Sequence, residues 1–214
     1  MKLTGLLSAA ALSLVSTTAA LAQNDHNFYA RIGATTIMPS ESATIRAGGS
    51  AVDGGSISID NHTTATVEFG YYFTPNFSVG FTGGFPPTVD IYGAGSVDGL
   101  GKLGGITYGP TALTAQYTFT NFGRIKPYVG AGPMFMFVFD NKDGALADLK
   151  VKNSVGAVLQ AGVDYDVTDR WGLFVDVKKA FLRTTATGTL GGAPVMADVK
   201  LDPWTIGAGV KFRF

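Results

Sequence analysis

From Trp204 to Phe214 every second residue is apolar: Trp204, Ile206, Ala208, Val210, Phe212 and Phe214 share one parity, and Thr205, Gly207, Gly209, Lys211 and Arg213 share the other. Successive side chains of a strand point to opposite faces, so this segment reads as a strand with one apolar and one polar side. The pattern recurs along the chain and predicts eight strands, at about 28–38, 62–73, 77–86, 108–120, 126–139, 154–167, 171–183 and 201–214. The sharpest is the run from Ser154 to Val167. There Val155, Ala157, Leu159, Ala161, Val163, Tyr165 and Val167 alternate with Ser154, Gln160, Asp164 and Asp166.

The connections alternate in length. Short links follow the second, fourth and sixth strands ("TPN", "NFGRIK", "TDR"), while residues 39–61, 87–107, 140–153 and 184–200 read as long polar or glycine-rich loops of flexible character. An even number of antiparallel strands with short turns at one end and long loops at the other is the up-and-down pattern of outer-membrane barrels. The aromatics agree with a membrane setting. Phe73, Phe77, Phe119, Tyr165, Trp171, Phe212 and Phe214 fall beside the short turns, and Phe85, Phe137, Phe139, Phe181 and Trp204 near the long loops. Two such girdles mark two membrane interfaces. The fold class expected is therefore all-β: an eight-stranded antiparallel up-and-down transmembrane β-barrel.

The first residues fit export. Lys2 precedes an apolar run from Leu3 to Val15 and small residues at Ala20 and Ala22, which predicts a signal peptide over 1–22 and a barrel domain over 23–214. The run is shorter than the ~18 apolar residues a spanning helix needs. Sixteen Lys and Arg balance sixteen Asp and Glu, so no nucleic-acid partner is expected. The chain has no cysteine, which leaves a core or a membrane, not disulfides, to supply stability.

Several stretches together resemble the outer-membrane protein W (OmpW) family over nearly all of residues 23–214: "GPTALTAQYTF", "KPYVGAG" followed by "FDN", "KNSVGAVLQAGVDYDV", "LDPW" and the terminal "GVKFRF". The resemblance implies an eight-stranded barrel of the bacterial outer membrane, with a narrow, largely apolar lumen associated with small hydrophobic molecules. It also implies that Phe214 resembles the C-terminal aromatic signal read by the barrel assembly machinery.

Alternation assigns the lumen independently. Near the short turns the inward positions include Arg31, Glu68, Asp164, Asp166, Asp176, Lys211 and Arg213, a charged floor whose members must pair, because an unpaired buried ion costs several kcal/mol. Near the long loops they include Ile37, Met134, Met136, Val138, Val158, Ala180 and Leu182, an apolar vestibule. Gly80, Gly84, Gly130, Gly132, Gly156, Gly162, Gly207 and Gly209 also face inward and are read as leaving room. Where the alternation holds, Lys178 points inward and outward-facing Lys179 is placed to meet lipopolysaccharide at the outer interface; the alternative is a bulge between the two lysines.

The function expected is passage or binding of small hydrophobic molecules, released sideways where Pro86, Pro87 and Pro110 break strand pairing. The alternative is a closed structural or receptor barrel whose loops bind phage, bacteriocin or host surfaces. Partners expected are outer-membrane lipids, lipopolysaccharide, hydrophobic solutes and the assembly machinery. "GLGKLG" at Gly99–Gly104 matches a dinucleotide fingerprint without its strand-to-helix context. His26 and His62 are the chain's two imidazoles, and His62 with Asp60 and Ser96 makes a weak hydrolase constellation. No enzyme activity, cofactor or metal is expected.

Overall fold

The computed structural model describes residues 27–214. The expected signal peptide lies outside them, as does His26. Eight strands form the barrel: β1 (Phe28–Met38), β2 (His62–Tyr72), β3 (Phe77–Gly84), β4 (Lys102–Thr118), β5 (Ile125–Asp143), β6 (Ser154–Asp166), β7 (Trp171–Phe181) and β8 (Trp204–Arg213). Each pairs antiparallel with the next. β8 returns to β1, with Tyr29 opposite Arg213 and Met38 opposite Trp204, and closes the wall.

Closure explains why the alternation is so regular. A closed wall has no unpaired edge, so every backbone amide within the hydrocarbon is satisfied by a neighbouring strand. Outward side chains then meet lipid, and Ile32, Phe69, Phe81, Leu113, Val155, Leu173 and Ile206 are all exposed on that face. Their inward neighbours Arg31, Glu68, Thr114, Ser154, Gly172 and Thr205 are buried. β7 rises from Trp171 to Phe181; eleven residues at ~3.3 Å each, tilted ~40°, cover the ~25 Å apolar band.

The long connections are built differently from the expectation. They are not flexible loops: seven further strands occupy them. Gly55–Ile59 pairs with Thr88–Gly95, which pairs in turn with the upper part of β4. Ala147–Val151, Arg183–Leu190, Ala193–Lys200, Ser42–Ala47 and Ser50–Ala51 form a separate five-stranded sheet. Ile45, Ile57, Ile91, Leu103, Leu149 and Val199 pack between these layers as a second core, above the membrane. β4 and β5, at 17 and 19 residues, run past the bilayer into this cap. "GLGKLG" falls on a single 3-10 turn and the start of β4, with no following helix.

Candidate functional site

The lower half of the lumen, toward the short turns, is filled by a polar plug. Arg31 forks onto Asp164, with Nε donating to Oδ1 at 3.0 Å and Nη2 to Oδ2 at 2.9 Å, and its third nitrogen, Nη1, donates to Glu68. Lys211 donates to Asp164 and, at 2.8 Å, to the Tyr72 hydroxyl. Lys178 pairs with Asp176. Three cations thus face three anions, which satisfies the requirement that ions removed from water be paired and hydrogen-bonded. Amides knit the groups together: Gln116 Nε2 donates to Glu68 at 3.0 Å, and Gln160 Nε2 to Asp176 at 2.8 Å.

Aromatic rings complete this layer. The Arg31 guanidinium lies 4.2 Å from the Tyr128 ring centroid and 4.8 Å from that of Tyr29, while Lys211 lies 5.2 Å from Tyr72. Inward glycines make space for these groups. A Cβ on Gly70 would sit 2.1 Å from the Tyr29 ring, one on Gly80 2.7 Å from Gln116, and one on Gly162 2.5 Å from the Tyr128 hydroxyl. The expectation that Gly80 and Gly162 leave a void is therefore corrected: the vacated volume holds the plug. Gly84 differs, because its nearest neighbour would be 3.5 Å away.

Above the plug the lumen turns apolar. A cavity of about 90 Å³ is bounded by Ile37, Met134, Met136, Val158, Ala180 and Leu182, with Lys178 at its lower side. A second, of about 100 Å³, lies within the cap and is lined by Ile45, Ile57, Leu103, Leu149, Val195 and Val199. Ile59, Ile106, Met136 and Leu201 border both cavities. One apolar lining therefore runs from the cap to the plug. The lower cavity also reaches the wall at Gly83, Gly84, Pro110 and Thr111. There β3 and β4 pair up to Gly83 opposite Thr111. Higher up, Tyr108 N donates to Pro87 O at 3.1 Å, and Pro110, facing the same neighbour two residues away, has no N–H to give.

The residues singled out by alternation divide between these regions. Arg31, Glu68, Asp164, Asp176 and Lys211 lie in the plug; Ile37, Met134, Met136, Val158 and Leu182 line the upper cavity. Val138 packs against both apolar clusters but borders neither cavity. Arg213 stands below the plug at the rim, half-buried, 3.5 Å from Asp166. Phe214 exchanges backbone hydrogen bonds with Phe28 at 2.9 and 3.1 Å and stacks on it, at the lower end of the seam. Lys179 points outward and gives its ammonium to the Asp202 carbonyl beside the Trp204 ring. Alternation puts Gln160 on the inward face with Asp164, but sequence reasoning missed Tyr29, Tyr72, Tyr128 and Gln116. Their parity matches that of the charged residues on the same strands, the signal that would have found them.

The hydrolase constellation does not assemble. His62 engages the Tyr108 hydroxyl at 2.8 Å and the Asp60 carbonyl at 3.1 Å, whereas the Ser96 hydroxyl donates to the Asp53 carbonyl. Among the described residues no cluster of three or more His, Asp or Glu side chains could hold a metal.

A closed eight-stranded wall, apolar toward lipid and polar within, with aromatic girdles at both rims, defines a transmembrane barrel of the bacterial outer membrane. Comparison with known proteins carries this to a family. The chain matches the OmpW family over residues 24–214 and belongs to it. Outer membrane protein AlkL of Ectopseudomonas oleovorans is 34% identical over 174 residues, covering 81% of this chain and 76% of that one. The dibenzothiophene metabolism operon protein PahQ of Pseudomonas aeruginosa is 35% identical over 184 residues, covering 86% and 87%. The crystal structure of outer membrane protein OprG from Pseudomonas aeruginosa has the same fold, with a TM-score of 0.82 at 25% identity over 88% of this chain and 95% of that one.

Proposed function

We propose that the protein carries small hydrophobic molecules across the outer leaflet and releases them sideways into the membrane. The observation that carries this reading is the apolar lining shared by the cap and upper-lumen cavities, which ends on a fully paired charged plug. An apolar solute entering through the cap keeps apolar contacts as far as Met136 and Val158. Going straight down would forfeit ~25 cal/mol for each Å² turned toward the ions. Turning aside at Gly84 and Pro110 brings it to a gap in the ladder and then to lipid. PahQ carries dibenzothiophene metabolism in its name, which supports apolar aromatic compounds as one class of cargo.

The test is uptake of an apolar fluorescent tracer by lipid vesicles containing the folded barrel. Met136→Asp puts a charge where both cavities meet and is expected to cut the rate at least about tenfold. Gly84→Phe, at a position where a Cβ would meet no backbone atom closer than 3.6 Å, is expected to block the exit without unfolding the wall. Equal uptake by wild type and both folded variants would remove the lumen from the pathway and put the receptor reading ahead.

A further inference from the structure

Arg183 and Lys200 are register partners on neighbouring strands of the cap sheet, at the level where the barrel leaves the bilayer. Arg183 shares the outward parity of Trp171, Leu173, Val175 and Phe181, so its guanidinium lies about 5 Å beyond the upper girdle, at headgroup depth. Like charges directly opposite each other on a sheet repel. Here the compensation is partial: Asp202 reaches Lys200 at 3.2 Å, and Arg183 has no ion pair among the described residues.

Two surface grooves meet on this pair. The lower one, on the lipid side, is walled by Val155, Ala157 and Phe181; the upper one is walled by Ser42, Thr44, Thr185 and Asp198. Both include Arg183 and Lys200. From the membrane outward the order is therefore apolar, then the two cations with Asp202 paired to Lys200 and the Arg183 charge left over, then a rim of hydroxyls beside Asp198, which accepts from Thr185 at 3.3 Å. That is the order of acyl chain, phosphate and sugar in a phosphorylated glycolipid. A guanidinium also matches a phosphate bidentately, which a lipid lacking one would not exploit.

We propose that this surface is a docking site for lipopolysaccharide of the outer leaflet: a lipid A phosphate sits between Arg183 and Lys200, an acyl chain lies along Val155, Ala157 and Phe181, and sugar hydroxyls meet Thr44 and Thr185. Lys179, where alternation first pointed for such a contact, is committed to the Asp202 carbonyl and Trp204 and braces the site from below. The site is independent of the lumen, so its failure would leave the transport reading untouched.

The experiment is native mass spectrometry of the full, detergent-solubilised barrel titrated with bisphosphorylated lipid A. Dephosphorylated lipid A, phosphatidylglycerol and inorganic phosphate form parallel arms. Wild type is expected to retain bisphosphorylated lipid A at least about tenfold better than any other arm, and Arg183→Gln/Lys200→Gln to lose that preference. Arg183→Lys, which keeps the charge, is expected to fall in between. Equal retention by the double variant, or equal binding of phosphatidylglycerol or of dephosphorylated lipid A by wild type, would overturn the proposal. The wild-type arms decide the matter even if the double variant fails to fold.

Discussion

Arg31 and Asp164 meet fork to fork across the barrel, at 3.0 and 2.9 Å, from strands with β7 and β8 between them on the wall. The pair spans the lumen, and so one hydrogen-bonded contact both ties opposite walls together and closes the straight path. Asp164 is fully buried and is shared with Lys211, which makes it the hub of the plug.

Removing that hub should be costly. Asp164→Ala leaves Arg31 with Glu68 alone and the buried Lys211 ammonium with no carboxylate partner, and is expected to destabilise the barrel by about 3–5 kcal/mol. Arg213→Ala breaks a half-buried pair at 3.5 Å and is expected to cost about 1 kcal/mol or less. Guanidinium unfolding of both variants in the same detergent, followed by gel mobility without heating, checks the contrast. Similar midpoints would mean that the plug is not what braces the wall.

Space for the rings is a second constraint. Gly70→Ala drives a methyl into the Tyr29 ring and is expected to lose about 1–3 kcal/mol through overpacking, whereas Gly83→Ala, with nothing within 4 Å, is expected to be close to neutral. Denaturant midpoints of the two variants provide the check. An equal effect would mean that Tyr29 moves freely and the lumen is looser than the plug implies.

The eight membrane strands were legible because lipid on one side and a narrow lumen on the other impose a strict period of two, as in Val155–Val167 and Trp204–Phe214. The same parity places Arg31, Glu68, Asp164 and Lys211 inside. It also separates the aromatics that line the girdles from those that fill the plug, but only when read strand by strand: Tyr29 and Tyr128 look like wall residues until their parity is compared with that of Arg31 and Lys126. The cap was hidden for another reason. Its strands are short, and they are stabilised by partners far away in the chain, such as Ile45 opposite Ala197, so no local pattern announces them. Likewise, inward glycines look like open space in a sequence that cannot reveal which ring occupies it.

Phe214 is proposed as the residue read by the barrel assembly machinery. In the folded wall it contributes one stacked ring and two backbone hydrogen bonds at the seam. Phe214→Ala is therefore expected to leave refolding in detergent nearly unchanged while lowering the amount of heat-modifiable barrel in the outer membrane of cells several-fold. A deficit of equal size in both settings would assign Phe214 to stability instead.

The central claim, an apolar route that enters through the cap and turns aside above the plug, is tested most directly by locating the solute. A diazirine-bearing hydrocarbon would be photolysed in vesicles containing the wild-type barrel, and the labelled residues read by mass spectrometry. Labelling at Met136, Leu201 and Val199 inside, and at Gly84 to Pro87 on the wall, with none at Gln160 or Asp176, is the predicted result. Labelling that reaches Gln116, Gln160 and Tyr128, or that spares the lumen while marking only the lipid-facing wall, would contradict it.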